Sequence, residues 1–505
     1  MRMATRFMVG AAAAAALLGS AATSARTPDR DRIARIVAER HDATVKALQD
    51  WIAIPTIAAE KRNVTEGAEY MRRLALDAGF QQAKIIPTDG VPGVFATLDS
   101  GAKTTVGVYF MYDVKQFDPG EWSSPPLEGR LVDRPGEGQA IVGRGAVNQK
   151  GPEMAFLAAV KAIRASGRKL PVNVVLVAEG EEEIASPNFH QVVARPEVRA
   201  ALSKAVGVFI PETGQTREGS ANITLGAKGA VEFQLVVGGE TSDKYPKAEI
   251  HSSNHARVEN PAWRLVKALD TLVADDGHTP AIDGWFENVR PLTARQKQLI
   301  AEGAARNPEA QVKRDLGVGR WINDEPYVTS LERFLSQPTV NIQGLIAGYT
   351  GPGGKTVLPS RAEAKLEFRL VPAMTKEEAV TKLHAHLAKR GFDDVRVTVS
   401  GGYGPNESDE NSVLVRAQKR FFEQAGIAYS IIPRSAGSWP GVIFNGPPLG
   451  LPVSRFGTGR GGGAHAPNEW FLVRSSNPKV HGLDEQTLAF VDFLYVVAEE
   501  AARGR

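Results

Sequence analysis

Apolar side chains recur every three or four residues in three stretches of the first half of the chain, which predicts amphipathic helices. These stretches are residues 29–51, 64–78 and 152–165. Four short apolar runs predict buried strands, at residues 93–98, 106–111, 172–178 and 205–210. Strands that alternate with helices are typical of a mainly parallel sheet covered on both faces. We therefore expect an α/β domain that binds its ligand beyond the carboxyl ends of the strands.

The pattern changes near Thr224, where strands and helices begin to suggest a smaller α+β domain. Predicted strands lie at 231–237, 362–370 and 395–400, and predicted helices at 261–273 and 376–390. Two further helices are predicted beyond this smaller domain, at 412–425 and 484–503. We expect the first domain to span 26–224 and 401–505, interrupted by a lid or dimerisation domain at 225–400. A chain of 505 residues is long enough for two such cores.

Residues 1–25 have the pattern of a secretory signal peptide. Arg2 and Arg6 precede an apolar run at 8–18, and small residues follow it, with cleavage expected between Ala22 and Ala25. The chain has no cysteine, which suits a bacterial periplasmic or secreted enzyme that relies on its core. Cleavage would change the net charge from +3 to +1, so we expect neither nucleic acid nor a membrane as partner.

A cluster of carboxylates follows the strand at 172–178. The run Glu179-Gly-Glu-Glu-Glu183 would be costly to bury unless it held a cation or a reactive proton, the alternative being a solvated acidic loop. Asp113 and Glu212 also follow predicted strands, so they should reach the same rim. A glycine-rich loop carries His465, with Asn468 and Glu469 as residues that could orient its ring.

Several motifs in this order resemble a known family of dizinc exopeptidases, which includes carnosine dipeptidase, aminoacylase, carboxypeptidase G and succinyl-diaminopimelate desuccinylase. The resemblance extends from about residue 30 to the C-terminus. Its clearest segments are Tyr112-Asp-Val, Glu121-Trp-Ser-Ser-Pro-Pro, Gly143-Arg-Gly-Ala, Glu179 to Ser186, Gly353 to Pro359, Phe368 to Pro372 and Ala464 to Glu469.

The resemblance implies roles for individual side chains. The implied catalytic residues are Glu182 as general base, Asp113, and His251 as a lid residue that polarises the scissile carbonyl. The implied substrate-binding residues are Arg369, Asn341, Gly437 and Ser438. The implied metal-site residues are Glu183, His465, Glu212 and Asn148. A family histidine ligand falls on Met111, and the aspartate that bridges two zinc ions falls on Asn148.

These two substitutions predict a degenerate metal site. A thioether is a poor ligand for Zn²⁺, and neutral Asn148 lacks the charge that holds two dications together. We expect no metal or one divalent ion, zinc if any, rather than a two-metal centre.

The leading hypothesis is an exported hydrolase of peptide-like amide bonds in dipeptides, C-terminal amino acids or N-acyl amino acids. The resemblance also implies a homodimer formed through the lid. One alternative is a metal-independent acid–base enzyme that eliminates, cyclises or isomerises an amino-acid derivative. The other is an inactive protein that binds peptides.

Overall fold

A six-stranded sheet forms the centre of the larger domain in the computed structural model, which describes residues 29–504. The predicted signal peptide at 1–25 lies outside the described residues. In spatial order the strands are Gln82–Ile86, Gly93–Leu98, Asn173–Glu179, Thr105–Met111, Ala205–Pro211 and Val453–Phe456. Three of the five neighbouring pairs are parallel and the two nearest the first edge are antiparallel. The predicted α/β class with a mainly parallel sheet is confirmed.

Helices cover both faces of this sheet, because its central strands bury alternate side chains on opposite sides. Val106, Val108 and Phe110 join the core beneath the larger helical layer, whereas Tyr109 and Met111 join the core of the other face. The larger layer comprises Arg30–Glu39, His41–Ile52, Val64–Ala78, Gly151–Ala165, Val413–Ala425 and Leu483–Arg503. The opposite face carries Phe189–Val193 and Pro196–Leu202.

One predicted helix is wrong. The pattern at 29–51 predicts a continuous helix, but the chain breaks at Arg40, whose ψ of 3° leaves the helical range. The second helix begins at His41, whose Nδ1 lies 2.9 Å from Asp484 on the closing helix. Both helices bury an apolar face against the same core, so the periodicity runs across the break unchanged.

A second, antiparallel sheet is built from the middle of the chain. Its strands, in spatial order, are Thr339–Ala347, Arg361–Leu370, Gly229–Gly238 and Arg396–Tyr403. Helices Pro261–Asp270 and Lys376–Lys389 pack on it around their own apolar core. Three more helices of this region are Ala294–Arg306, Glu309–Leu316 and Tyr327–Ser336. We call this region, including the whole strand Arg396–Tyr403, the lid; the domain boundaries at 225 and 400 remain predictions.

Smaller sheets complete the fold. A four-stranded antiparallel sheet contains Gly461–Gly462, Trp470–Ser475, Gly138–Val142 and Arg130–Arg134. Two-stranded pairs join Ala221–Thr224 to Tyr429–Ile432, Gly226–Ala227 to Asn406–Glu407, and Ile250–His251 to Val357–Leu358. Within residues 29–504, no helix combines the length and the apolarity that crossing a bilayer requires.

Candidate functional site

Asp113 and residues 179–185, which we call the carboxylate turn, meet at the carboxyl ends of two adjacent parallel strands. Asp113 follows Thr105–Met111 and is fully buried. It accepts hydrogen bonds from the backbone N–H groups of Glu182 and Glu183, at 3.3 and 3.0 Å. Burial and the neighbouring glutamates raise the pKa of Asp113 well above its usual value. Asp113 thus fixes the backbone of the turn, and the predicted convergence of these residues is present in the structure.

Glu182 begins the short helical turn Glu182–Ile184 and is half-buried. Burial, then the neighbouring charge of Glu183, raises its pKa to about 7. His465, Lys115 and Arg455 act in the opposite direction, because positive charge favours the ionised carboxylate. No group within residues 29–504 donates a hydrogen bond to this carboxylate. The arrangement leaves a carboxyl group that can exchange a proton near neutral pH.

Glu183, Asn148 and His465 form a compact polar triangle beside Glu182. Glu183 is buried and its Oε1 accepts from Asn148 Nδ2 at 2.6 Å. His465 Nε2 lies 3.2 Å from Glu183 Oε2 and 3.1 Å from Asn148 Nδ2. The hydrogen bond to Glu183 raises the pKa of His465. Asn148 therefore presents its amide nitrogen, rather than its oxygen, to both potential ligands.

Glu469 does not orient His465 as the sequence suggested; it holds the turn that carries Asn148. Its Oε1 accepts from the N–H groups of Val147 and Asn148, at 3.0 and 2.9 Å. Its Oε2 accepts from Arg144 Nη1 at 2.7 Å and from Gly145 N at 3.0 Å. All four partners donate, and both charged side chains are buried. The ionised carboxylate is the form that these contacts fit.

Met111 and Glu212 both make other contacts. Met111 is 2% exposed and packs in the apolar core with Tyr109, Ile210 and Trp439. Glu212 follows the strand Ala205–Pro211, as predicted, but its Oε2 pairs with Arg455 Nη1 at 3.2 Å. Within residues 29–504 no three acidic or histidine side chains are arranged to hold one metal ion.

Two of the predicted substrate residues from different domains are in contact. Arg369 lies on a lid strand and donates through Nη1 to Ser438 Oγ at 2.8 Å, while its Nη2 pairs with Glu367 at 2.5 Å. Gly437 precedes Ser438 in an exposed part of the loop and donates to Ser435 Oγ. The lid also touches the carboxylate turn directly, because Gly402 N donates to Ala185 O at 3.0 Å.

His251 and Asn341 lie elsewhere on the lid. His251 is exposed, and its Nδ1 is 2.8 Å from Ser253 Oγ within the same turn. Asn341 is exposed on the edge strand, where it pairs in register with Glu367. The structure does not bring either side chain to the carboxylate cluster within this chain, and their predicted roles remain predictions.

Sequence reasoning missed three polar side chains close to this site. Lys115 comes two residues after Asp113 and its Nζ lies 3.5 Å from Glu183 Oε2. Arg455 ends near Glu212 from the edge strand of the central sheet. Tyr403 is at the end of a lid strand, 3.3 Å from Ser438 Oγ; burial, and then the charge of Glu182, raise its pKa well above the usual value. Lys115 could have been found from its spacing to Asp113, whereas the other two depend on tertiary contacts.

Comparison with known proteins agrees with this geometry. The sequence profile described as peptidase family M20/M25/M40 matches residues 112–483. The Cys-Gly metallodipeptidase dug1 of Schizosaccharomyces pombe is 27% identical over 375 residues, which cover 71% of this chain and 75% of that protein. The Beta-Ala-His dipeptidase of Rattus norvegicus is 28% identical over 407 residues, covering 75% and 78%.

A solved structure extends the similarity to almost the whole chain. The M20 family metallo-carboxypeptidase Sso-CP2 from Sulfolobus solfataricus superposes with a TM-score of 0.80 and 31% identity, covering 90% of this chain and 99% of that one. The profile match alone spans well over half of the sequence. The chain therefore belongs to peptidase family M20/M25/M40 and is a hydrolase that acts on peptide C–N bonds.

Proposed function

We propose that this protein hydrolyses small peptides with Glu182 as the general base and with a reduced metal centre. The observation that carries the proposal is the position of Glu182, at the strand ends and with a pKa of about 7. A general base works best when its pKa lies near the working pH. The names of the relatives, two dipeptidases and a carboxypeptidase, favour a dipeptide or a C-terminal amino acid as substrate.

The proposed reaction needs one water molecule and one mobile proton. Glu182 takes a proton from the water as its oxygen attacks the carbonyl carbon of the scissile bond. The same carboxyl group then gives that proton to the departing nitrogen as the C–N bond breaks. Asp113 accepts hydrogen bonds from the backbone N–H groups of Glu182 and Glu183. These two bonds hold the general base on a rigid turn.

The donor set supports the reduced metal centre. Two of the relatives are metalloenzymes by name, and two adjacent ions need several anionic or imidazole ligands. Here the thioether of Met111 is buried in an apolar core, Asn148 turns its N–H to Glu183, and Glu212 is paired with Arg455. These residues do not fit a two-metal group. Glu183 and His465 could contribute to one weakly held divalent ion.

Arg369 and Ser438 supply the proposed contact for the substrate carboxylate. Arginine binds a carboxylate through two parallel N–H groups, and the lid strand presents Arg369 next to the Ser438 hydroxyl. The Tyr403 hydroxyl lies 3.3 Å from the Ser438 hydroxyl, and burial and then the charge of Glu182 raise the pKa of Tyr403. A short substrate anchored here would place its amide near the general base.

Export of the protein and its dimerisation are two further parts of the proposal. The signal-peptide pattern at 1–25 supports export to the periplasm or the medium. Within residues 29–504 the lid edge strand Thr339–Ala347 pairs on one side only, and it exposes Ile342, Leu345 and Ile346 at 49%, 48% and 63%. An open apolar edge of this kind favours pairing with a second copy of the chain. Such a dimer could bring the exposed His251 of one lid towards the site of its partner.

The Glu182→Gln variant tests the proposed base. It keeps the size of the side chain but cannot accept a proton, so we expect kcat on a panel of dipeptides to fall by about 10²–10⁴-fold. The matched control is Glu128→Gln, because Glu128 is an exposed surface carboxylate. Equal rates for wild type and Glu182→Gln, at equal thermal stability, would refute the assignment.

A further inference from the structure

We propose that Lys115 and Arg455 take the place of metal ions in balancing the charge of the acidic site. The inference deepens the proposed reduced metal centre and rests on it. It assigns the neutralising charge to two side chains, one in the loop after the strand Thr105–Met111 and one on the strand Val453–Phe456. Neither position was recognised as part of the site from the sequence.

Lys115 occupies the side of Glu183 that faces the site. Its Nζ lies 3.5 Å from Glu183 Oε2 and also donates to the backbone oxygen of the same residue. Glu183 Oε2 is the oxygen that also faces His465 Nε2. Its Oε1 is already taken by Asn148, so all the contacts of this carboxylate come from protein nitrogen atoms. An ion that used Glu183 Oε2 would meet the Lys115 ammonium 3.5 Å from this oxygen.

Arg455 balances the charge of Glu212 in the same way. The guanidinium lies on the strand Val453–Phe456, parallel to the strand that ends at Pro211, and its Nη1 is 3.2 Å from Glu212 Oε2. About a quarter of the Arg455 side chain is exposed, and a fifth of Glu212. A pair at this depth is screened less than a surface pair, so another cation that approached Glu212 would meet the charge of Arg455.

Three separate segments bring basic side chains to the acidic site. Lys115 and His465 lie 3.5 and 3.2 Å from Glu183 Oε2, and Arg455 lies 3.2 Å from Glu212 Oε2. The carboxylates that they face are Glu182, Glu183 and Glu212. A dication entering this group would meet two fixed positive charges, and Coulomb repulsion between like charges at a few ångströms weakens its binding.

The proposal is tested by measuring zinc binding, with Zn²⁺ alone as the probe, in isothermal titrations of four full-length mature proteins. They are the wild type, Lys115→Gln/Arg455→Gln, Met111→His/Asn148→Asp, and the quadruple variant. We expect no stoichiometric zinc in the wild type and weak binding after the ligands alone are restored. Removal of both cations from that background should tighten binding by at least about tenfold, because the repulsion is lost.

A charge-matched control separates local repulsion from net charge. Lys46 and Arg130 are exposed cations whose side chains are 67% and 55% accessible. Addition of Lys46→Gln and Arg130→Gln to the Met111→His/Asn148→Asp variant should leave its zinc affinity no higher than before. If the quadruple variant does not fold, Lys115→Gln alone in the restored background gives the same test, with a smaller gain.

Two results would overturn the proposal. One is stoichiometric zinc in the wild type. The other is equal zinc affinity in the restored background with and without Lys115 and Arg455. Neither readout depends on turnover, so failure here is distinguishable from failure of Glu182 as the general base.

Discussion

Glu469→Gln changes the buried carboxylate that holds the Asn148 turn. The carboxylate accepts four hydrogen bonds, from Arg144 and from the N–H groups of Gly145, Val147 and Asn148. Glutamine has nearly the same shape but only one oxygen, and its amide nitrogen is a donor. Whichever way the amide is turned, its NH₂ group must therefore face two of these four N–H donors.

The structure gives the expected size of the effect. Arg144 and Glu469 are 3% and 1% exposed, so the variant leaves a buried guanidinium without its counter-charge. Removal of one partner from such a pair costs about 3–5 kcal/mol, whereas removal of both is far less harmful. The double variant Glu469→Gln/Arg144→Met should therefore recover part of the loss, as expected for two residues in direct contact.

Guanidinium unfolding followed by tryptophan fluorescence measures this loss. Glu128→Gln is the matched control, because Glu128 pairs with Arg130 in an exposed position and should change the free energy of unfolding by less than about 1 kcal/mol. The reasoning fails if Glu469→Gln destabilises the protein no more than Glu128→Gln does. It also fails if addition of Arg144→Met to Glu469→Gln lowers the free energy of unfolding further, by as much as an independent buried defect would.

Three further predictions concern activity and assembly. Because the pKa of Glu182 is raised to about 7 and a base must be deprotonated, kcat should fall as the pH drops below about 7; a pH–rate profile that is flat from pH 5 to 9 would contradict this. Arg369→Met should raise KM by about 10- to 100-fold through loss of a charge-assisted contact, with Arg369→Lys intermediate, and an unchanged KM would exclude the contact. Ile346→Lys should convert a dimer to a monomer in light scattering, whereas Leu131→Lys, which changes another exposed apolar residue, should not.

The spacing of apolar residues along the chain predicted several helices and strands of the larger domain. The helix Val64–Ala78 and the strand Gly93–Leu98 have the predicted bounds, because each buries a regular apolar face and is ended by a glycine or a turn. Asp113 and Glu182 could be placed at one rim because the carboxyl ends of parallel strands lie on the same edge. The break at Arg40 and the small sheet containing Gly138–Val142 were missed, because distant tertiary contacts determine both.

The partners of the charged side chains were the least predictable part of the site. Glu469 is four residues from His465, yet it binds a turn more than 300 residues away in the sequence. Arg455 and Glu212 are 243 residues apart in the sequence and meet because their strands are neighbours. Spacing along the chain specifies which backbone segments approach one another, whereas each ion pair depends on rotamers and on competing partners.

Metal content of the purified mature protein, measured by elemental analysis together with dipeptide turnover before and after chelation, is the most direct test of the account. We predict less than one metal ion per chain and turnover that survives the chelator. Two ions per chain, with turnover abolished by the chelator and restored by zinc, would contradict the reduced metal centre and the role given to the protein's own cations.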